Sequence, residues 1–368
     1  MKYILLGDLH FGVKKFSLEF FENQMKFFEN QLFPYMKEHN IYNIIQTGDL
    51  FDNRIVMDIN FISLIRKRFF DVLVKNNIIL TTYIGNHDMY YKNTRTTNSI
   101  KLFVELYPNN IILFENQELL TINNKTVGIV PFLVPSEPID SKILKNSEYI
   151  FGHFETQGFE IAKGVTDTHS ELTASSFSKY PNIKGVFSGH YHIKNTEGFV
   201  KYVGIPYNTS LNDYGNKCGF HILDEDFNIE FIENTQSLTY VKMIYTDTST
   251  NTLNIDGCIV HTKDVIDFLN THKNIIIKFY IYGSLDNTTT QSIQYTKYLD
   301  ILKQYNVNYS IIDKREENNI ADNTKDIKHK DKISLSSTDS FINDYIKTNH
   351  EELYTLFLEL ISIKDSTI

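Results

Sequence analysis

Five times in this chain an apolar run ends in glycine, and a residue able to ligate a metal ion follows the glycine directly. The segments are Gly7-Asp8-Leu9-His10, Gly48-Asp49, Gly85-Asn86-His87-Asp88, Gly152-His153 and Gly189-His190-Tyr191-His192. Together they offer carboxylate oxygens, one amide oxygen and several imidazoles. Such mixed nitrogen and oxygen donors suit manganese, iron or zinc better than calcium, which prefers oxygen alone. Asp8 and His10 stand two residues apart, as do His190 and His192, so each pair points one way in extended chain. A carboxylate has two oxygens, which lets Asp49 bridge two cations. Two cations roughly 3.5–4 Å apart are what a phosphoester displacement uses, to clamp the phosphate, acidify a water and stabilise developing charge.

Each piece is weak by itself. Asp-x-His pairs are common, Gly-Asn-His-Asp also reads as a turn, and Gly-His-x-His as the start of a hairpin. The joint order of all five segments is what points to a metal site. His39, His169, His221, His261, His272, His329 and His350 fall outside the segments and read as surface or internally satisfied residues.

The donors need elements that carry them to one place. Residues Tyr3–Leu6, 41–46, 78–83, 149–151 and 186–188 read as buried strands. Apolar residues at three- and four-residue spacing predict helices over 17–39 and 58–75. This alternation suggests an α/β fold, a central sheet covered by helices, with ligands at the carboxyl ends of the strands. Glycine suits those ends because it permits a sharp turn and close backbone approach. From about residue 236 to 313 a smaller α/β unit follows, with strands at 274–282 and 307–312 and a helix at 288–305. Residues 314–336 are dense in charge, Asn and Asp and read as a linker. Two helices are expected in 337–368; Thr348 and Glu351 have capping-box spacing ahead of an apolar stripe of Leu353, Tyr354, Phe357, Leu358 and Ile361.

A chain of 368 residues, 42% hydrophobic and 14% aromatic, can bury a large core without disulfides. Its two cysteines, Cys218 and Cys258, have no metal-type spacing and fit a reducing compartment. The opening apolar run is too short for a signal peptide, and no stretch approaches the ~20 apolar residues of a membrane span. A cytoplasmic location, of a cell or of a viral host, is expected. The net charge of −9 argues only weakly against nucleic acid, because bound divalent cations offset carboxylates locally.

The series Asp8-x-His10, Gly48-Asp49, Gly85-Asn86-His87-Asp88, Gly152-His153 and Gly189-His190-x-His192 resembles the calcineurin-like metallophosphoesterase signature. Gly48-Asp49-Leu50-Phe51-Asp52-Asn53-Arg54, with Gly204-Ile205-Pro206 after Val203, resembles the Mre-eleven/SbcD nucleases, and within them the branch of T4-type phage recombination endonuclease subunits. The resemblance implies a four-layer-type metallophosphoesterase core of β-sheets flanked by helices over 1–235, a small α/β capping domain over 236–313, and C-terminal helices. It implies one metal on Asp8, His10, Asp49 and His192 and a second on Asp49, Asn86, His153 and His190, usually manganese. His87 would face the scissile phosphate, with Asp88, and in like manner Asp52, holding its ring in the right tautomer.

By the same resemblance the substrate is DNA, degraded as duplex by exonuclease action and cut endonucleolytically as single strand. The chain has no phosphate-binding Gly-x-x-x-x-Gly-Lys-Ser/Thr loop, and the family's ATPase is a separate coiled-coil protein of the Rad-fifty/SbcC type. The stripe Leu353 to Ile361 suits docking in that partner's groove. Lys14, Lys15 and Arg54 follow ligand segments closely and are the candidates for sequence-independent contact with the DNA backbone; Arg66-Lys67-Arg68 reads as a water-facing helix side. A homodimer through surface helices is plausible from the family. A small-molecule phosphodiesterase or a catalytically silent scaffold are the other readings. A protein phosphatase is disfavoured, because Asn53 separates Asp52 from Arg54 and the third segment ends in Asp88.

Overall fold

A computed structural model describes residues 1–247, 252–255, 258–260, 262–272, 274–283 and 292–314. The linker beyond residue 314 and the stripe Leu353, Tyr354, Phe357, Leu358 and Ile361 lie outside the described residues.

The strand Tyr3–Leu6 shows how the layers are set. Leu5 points into a core shared with Ile45, Phe151, Phe187 and Val203, whereas Ile4 and Leu6 point into a second core with Phe21, Met25, Phe61 and Phe69. Side chains of a strand alternate between faces, so a strand apolar at every position must be covered on both. Asn43–Gln46 behaves alike, with Ile45 inward and Ile44 toward the helices. In Tyr149–His153 and Gly185–Gly189, Phe151 and Phe187 join the shared core, while Ile150 and Val186 face a third core with Ile143 and Phe177. Helices, sheet, sheet and helices therefore stack in four layers. Fully burying one such Leu or Phe stabilises the fold by roughly 1.5–3 kcal/mol.

The first sheet has six strands in the order Ile229–Glu233, Gly219–Leu223, Tyr3–Leu6, Asn43–Gln46, Ile79–Tyr83 and Ile111–Phe114. The last four run parallel. The second sheet also has six, in the order Asn195–Glu197, Val200–Tyr202, Gly185–Gly189, Tyr149–His153, Lys125–Val130 and Glu118–Ile122. The alternation alone suggested a central sheet; the chain builds two, in the four-layer arrangement that the resemblance implied. Alternation by itself did not separate the second sheet, because its strands are linked by short turns and short helices, without the long helical pattern that marks the first 80 residues.

Both predicted long helices form, each with a π-helical turn inside. The first runs Leu18–Phe27, Phe28–Leu32 and Phe33–Glu38. Pro34 lacks the N–H that would bond back into the preceding turn, and its ring crowds that turn, which favours a local widening. Ser17 caps this helix through Phe20 N, and Asp58 caps the second through Phe61 N at 2.8 Å. The second runs Ile59–Ile65, Arg66–Phe70 and Asp71–Lys75. Its Arg66-Lys67-Arg68 side is not simply water-facing: Arg68 grips Glu29 with two nitrogens at 2.7 Å and reaches Glu22, clamping the two helices together.

A third sheet follows, in the order Cys258–Val260, Thr252–Ile255, Thr239–Asp247, Ile275–Gly283 and Asn308–Asp313. The helices Thr262–Thr271 and Ser292–Gln304 supply Val265, Leu269 and Leu302 to its own core with Met243, Ile277 and Phe279. It joins the four layers through polar contacts. Ser237 Oγ donates to Asn23 O, Leu238 N to Asn23 Oδ1 and Tyr240 N to Asn208 Oδ1.

Candidate metal centre

All five glycine segments converge. Asp8, Asp49 and Asn86 leave the carboxyl ends of parallel neighbours in the first sheet. His153 ends, and His190 follows, paired strands of the second. The glycines are needed here chiefly for closeness. A Cβ at Gly85 would stand 2.2 Å from both the amide nitrogen and Oδ1 of Asp49, and one at Gly189 would stand 2.4 Å from Thr47 O and 2.5 Å from Asp8 Oδ1. The two sheet ends touch through backbone, and any side chain would hold them apart. Several donors sit in the left-handed backbone region, with φ of 43° at His10, 52° at Asp49 and 86° at His190. That conformation is uncommon outside glycine and is held here by the surrounding contacts.

Three overlapping donor groups result; His10, Asp49 and His87 form one, and the other two are distinct sets. Asp8, His10 and His192 bring ligand atoms within 4.8 Å of one another, as do Asp49, His153 and His190. Asn86 Oδ1 joins the second set at 3.0 Å from both His153 Nε2 and His190 Nδ1. Asp49 Oδ2 lies 3.4 Å from His153 Nε2 and 3.9 Å from His10 Nε2, between the two sets. His10 Nε2 and His192 Nε2 stand 3.1 Å apart, a separation that two imidazoles bound to one metal at about 2.0–2.1 Å can span.

Electrostatics fit a cation too. Burial alone would push the Asp49 carboxyl up, but His153, His10 and His87 outweigh it and hold it ionised. Burial would likewise depress His153, yet Asp49 and Asp8 raise it to about 10. The acids here recruit positive charge into a largely buried cluster, a demand that divalent cations satisfy without protons.

His87 lies at the edge of the cluster. Its ring meets His10 edge-on at 4.8 Å, its amide donates to Asp49 Oδ1 at 2.7 Å, and its Nδ1 bonds Asp52 O at 2.8 Å. The orienting role expected of Asp88 is therefore corrected. The carboxylate of Asp88 turns inward and accepts from the amides of Gly85, Phe51 and Leu50, tying the third segment to the second. The tight turn at Gly85 points it under the loop while His87 points out. Burial, with the charge of Asp49, pushes Asp88 up to about 7. Asp52 holds His87 by its main chain, and its carboxylate stands 3.4 Å from His10 Nδ1.

Lys14 and Lys15 are exposed on a left-handed turn after His10, pinned by Phe16 packing on Phe61; Arg54 is half-buried. Two clefts of about 830 and 810 Å³ adjoin the cluster. The first is walled by His153, Glu155 and Phe132, the second by His190, His192 and Asp213.

Two side chains near the donors escaped the sequence. Glu155 Oε1 lies 3.4 Å from His190 Nε2, and Asp213 Oδ1 accepts from His192 Nδ1 at 2.7 Å. Glu155, two residues past His153, was open to notice. Asp213 lies in a loop with no glycine-ligand construction, and only the folded chain brings it to His192.

The chain matches the family described as calcineurin-like phosphoesterase over residues 1–194. It is also 29% identical over 238 residues to exonuclease subunit 1 of Enterobacteria phage T4, covering 64% of this chain and 68% of the relative. Among the described residues, no helix is long and apolar enough to cross a membrane.

Proposed function

The chain belongs to the calcineurin-like phosphoesterase family, and from that membership we propose that it is the nuclease subunit of a DNA recombination and repair complex. Its donors would take two divalent cations, with manganese the best match to mixed imidazole and oxygen ligands. The observation that carries this reading is the pair of donor sets flanking Asp49, with His87 at their edge.

Asp8, His10, Asp49 and His192 would hold one cation, and Asp49, Asn86, His153 and His190 the other. When bound, the pair supplies charge to the phosphate and a more acidic water. His87 does the proton work of the chain itself. Its Nδ1–H donates to Asp52 O, which leaves Nε2 to meet the phosphate. In the imidazolium form that nitrogen donates to the leaving oxygen. The likeness to a phage exonuclease subunit supports DNA as substrate. It also supports a partner, which we take to be a coiled-coil ATPase of the Rad-fifty/SbcC type docking on the C-terminal segment, with residues 236–313 as the capping domain. Lys14, Lys15 and Arg54 would contact phosphates without reading bases.

Nucleotide release from linear duplex DNA with Mn²⁺ tests this. His87→Ala is expected to bind Mn²⁺ as the parent does and to cleave about 10²–10⁴-fold more slowly, the span of general acid catalysis. Parental cleavage by the variant would overturn the role of His87. Hydrolysis of small diesters without any attack on DNA would overturn the nuclease reading.

A further inference from the structure

The two donor sets differ in what stands behind them. In the second set, His153 Nδ1 is fixed by a main-chain carbonyl, Thr47 O, at 2.7 Å, and His190 Nε2 has Glu155 at 3.4 Å; neither contact involves the third sheet. In the first set, support runs outward. Asp213 is 2% exposed, and its carboxylate is saturated. Oδ1 accepts from His192 Nδ1 at 2.7 Å, and Oδ2 accepts from Thr209 N, Thr209 Oγ1 and Ser210 N at 2.8, 2.7 and 2.8 Å. The loop bearing it is closed by Asn208, 3% exposed, whose Nδ2 donates to Asp213 O at 3.0 Å. The other end of the same amide, Oδ1, accepts from Tyr240 N at 3.1 Å, on the first strand of the third sheet.

A parallel path reaches His10. Gln24 Nε2 donates to Leu9 O at 3.1 Å and to His10 O at 3.3 Å, holding the main chain of that ligand. Its neighbour Asn23, 4% exposed, accepts from Leu238 N at 2.6 Å and from Ser237 Oγ at 3.1 Å. Two ligands of one set thus lead through buried amide side chains to the segment 237–240, where the third sheet begins.

We propose that Asp213 is a positioning residue for His192, and that Asn208 makes the Asp8–His10–His192 cation site, and not its neighbour, depend on the seating of the third sheet. The inference rests on the reading of these residues as metal ligands. The physical basis is tautomer and aim. A carboxylate on Nδ1–H leaves the lone pair on Nε2, beside His10 Nε2, and makes that nitrogen a better donor. Without it the ring keeps only its contact with His10, and its exposed edge borders the cleft. Breaking such a support weakens metal affinity by roughly 10–100-fold.

Mn²⁺ titration of the full chain without DNA, by calorimetry and by electron paramagnetic resonance, tests this independently of nuclease activity. The parent is expected to bind two ions and to show the spectrum of a coupled pair. Asp213→Asn is expected to keep one site at parental affinity, weaken the other at least about tenfold, and lose the coupled signal at low Mn²⁺. Asn208→Ala, which touches no metal ligand, is expected to weaken the same site by a smaller factor. Parental binding by Asp213→Asn, equal weakening of both sites, or loss of all binding would each overturn the positioning role. Parental binding by Asn208→Ala would overturn the dependence on the third sheet. Absence of Mn²⁺ binding in the parent would remove the ligand reading itself, whereas failure to cut DNA with two ions bound would leave this inference standing.

Discussion

The first sheet and the second contribute different chemistry to one cluster. The first delivers mainly oxygen donors, Asp8, Asp49 and Asn86, with His10 and, at the rim, His87 as imidazoles; the second delivers only imidazoles, His153, His190 and His192. Neither edge has enough donors for two cations, and neither is electrically balanced alone. The carboxylates of one edge raise His153 of the other to about 10, and His153 in turn leads in holding Asp49 ionised against burial, with His10 and His87 from Asp49's own edge adding to it. The site therefore belongs to the seam between the sheets. Its geometry is only as good as their contact.

The seam can be broken first at its shared atom pair. Asp49→Ala removes the carboxylate that lies against both donor sets. It is expected to lower Mn²⁺-dependent DNA cleavage by about three orders of magnitude, within the range of a lost electrostatic or general acid–base group. Steady-state rates with saturating Mn²⁺ check this; a loss below tenfold would mean the two edges do not share that oxygen donor.

A second substitution separates the edges without removing any donor. Gly189→Ala would place a Cβ 2.4 Å from Thr47 O and 2.5 Å from Asp8 Oδ1. Overpacking of this kind costs about 1–3 kcal/mol of stability, and Mn²⁺ affinity should fall with it. Denaturant melts with and without Mn²⁺ measure both; unchanged stability and affinity would show that the edges do not need to touch.

The mildest change lies in the seam away from the donor cluster. His221, on the first sheet, bonds Val203 O, just past a strand of the second, at 3.0 Å. Burial lowers its pKa to about 4, against about 6.5 unfolded. The unfolded chain therefore binds the proton first, and stability present above pH 6.5 is lost as pH falls toward 4. At pH 5 this amounts to roughly 2 kcal/mol relative to pH 8. In His221→Leu the drop in stability between pH 8 and pH 5 should shrink by about that amount, at the expense of one hydrogen bond at both pH values. An equal drop in parent and variant would mean that acid loosens the seam elsewhere.

Much of the centre was legible before folding was considered, for a local reason. Asp8, His10, Asp49, Asn86, His153, His190 and His192 each follow an apolar run and a glycine, and both the strand and its end are short-range properties of the chain. The misread parts are long-range or directional. Asp88 sits beside His87 in sequence, yet a single tight turn sends one carboxylate in and one imidazole out, and residue spacing carries no such direction. Arg68 looked like a solvated charge because its partners Glu29 and Glu22 lie on another helix.

Residue type and local pattern were enough to read the candidate donors, the strand ends that bear them and the family, since all three are short-range properties of the chain. Long-range packing, by contrast, set which sheet edge faces which, that Asp52 and not Asp88 holds His87, and that Asp213 stands behind His192. Those are contacts between residues far apart in the chain or on opposite faces of one turn. Only the packing of buried side chains, which brings such residues to a common place, can select them.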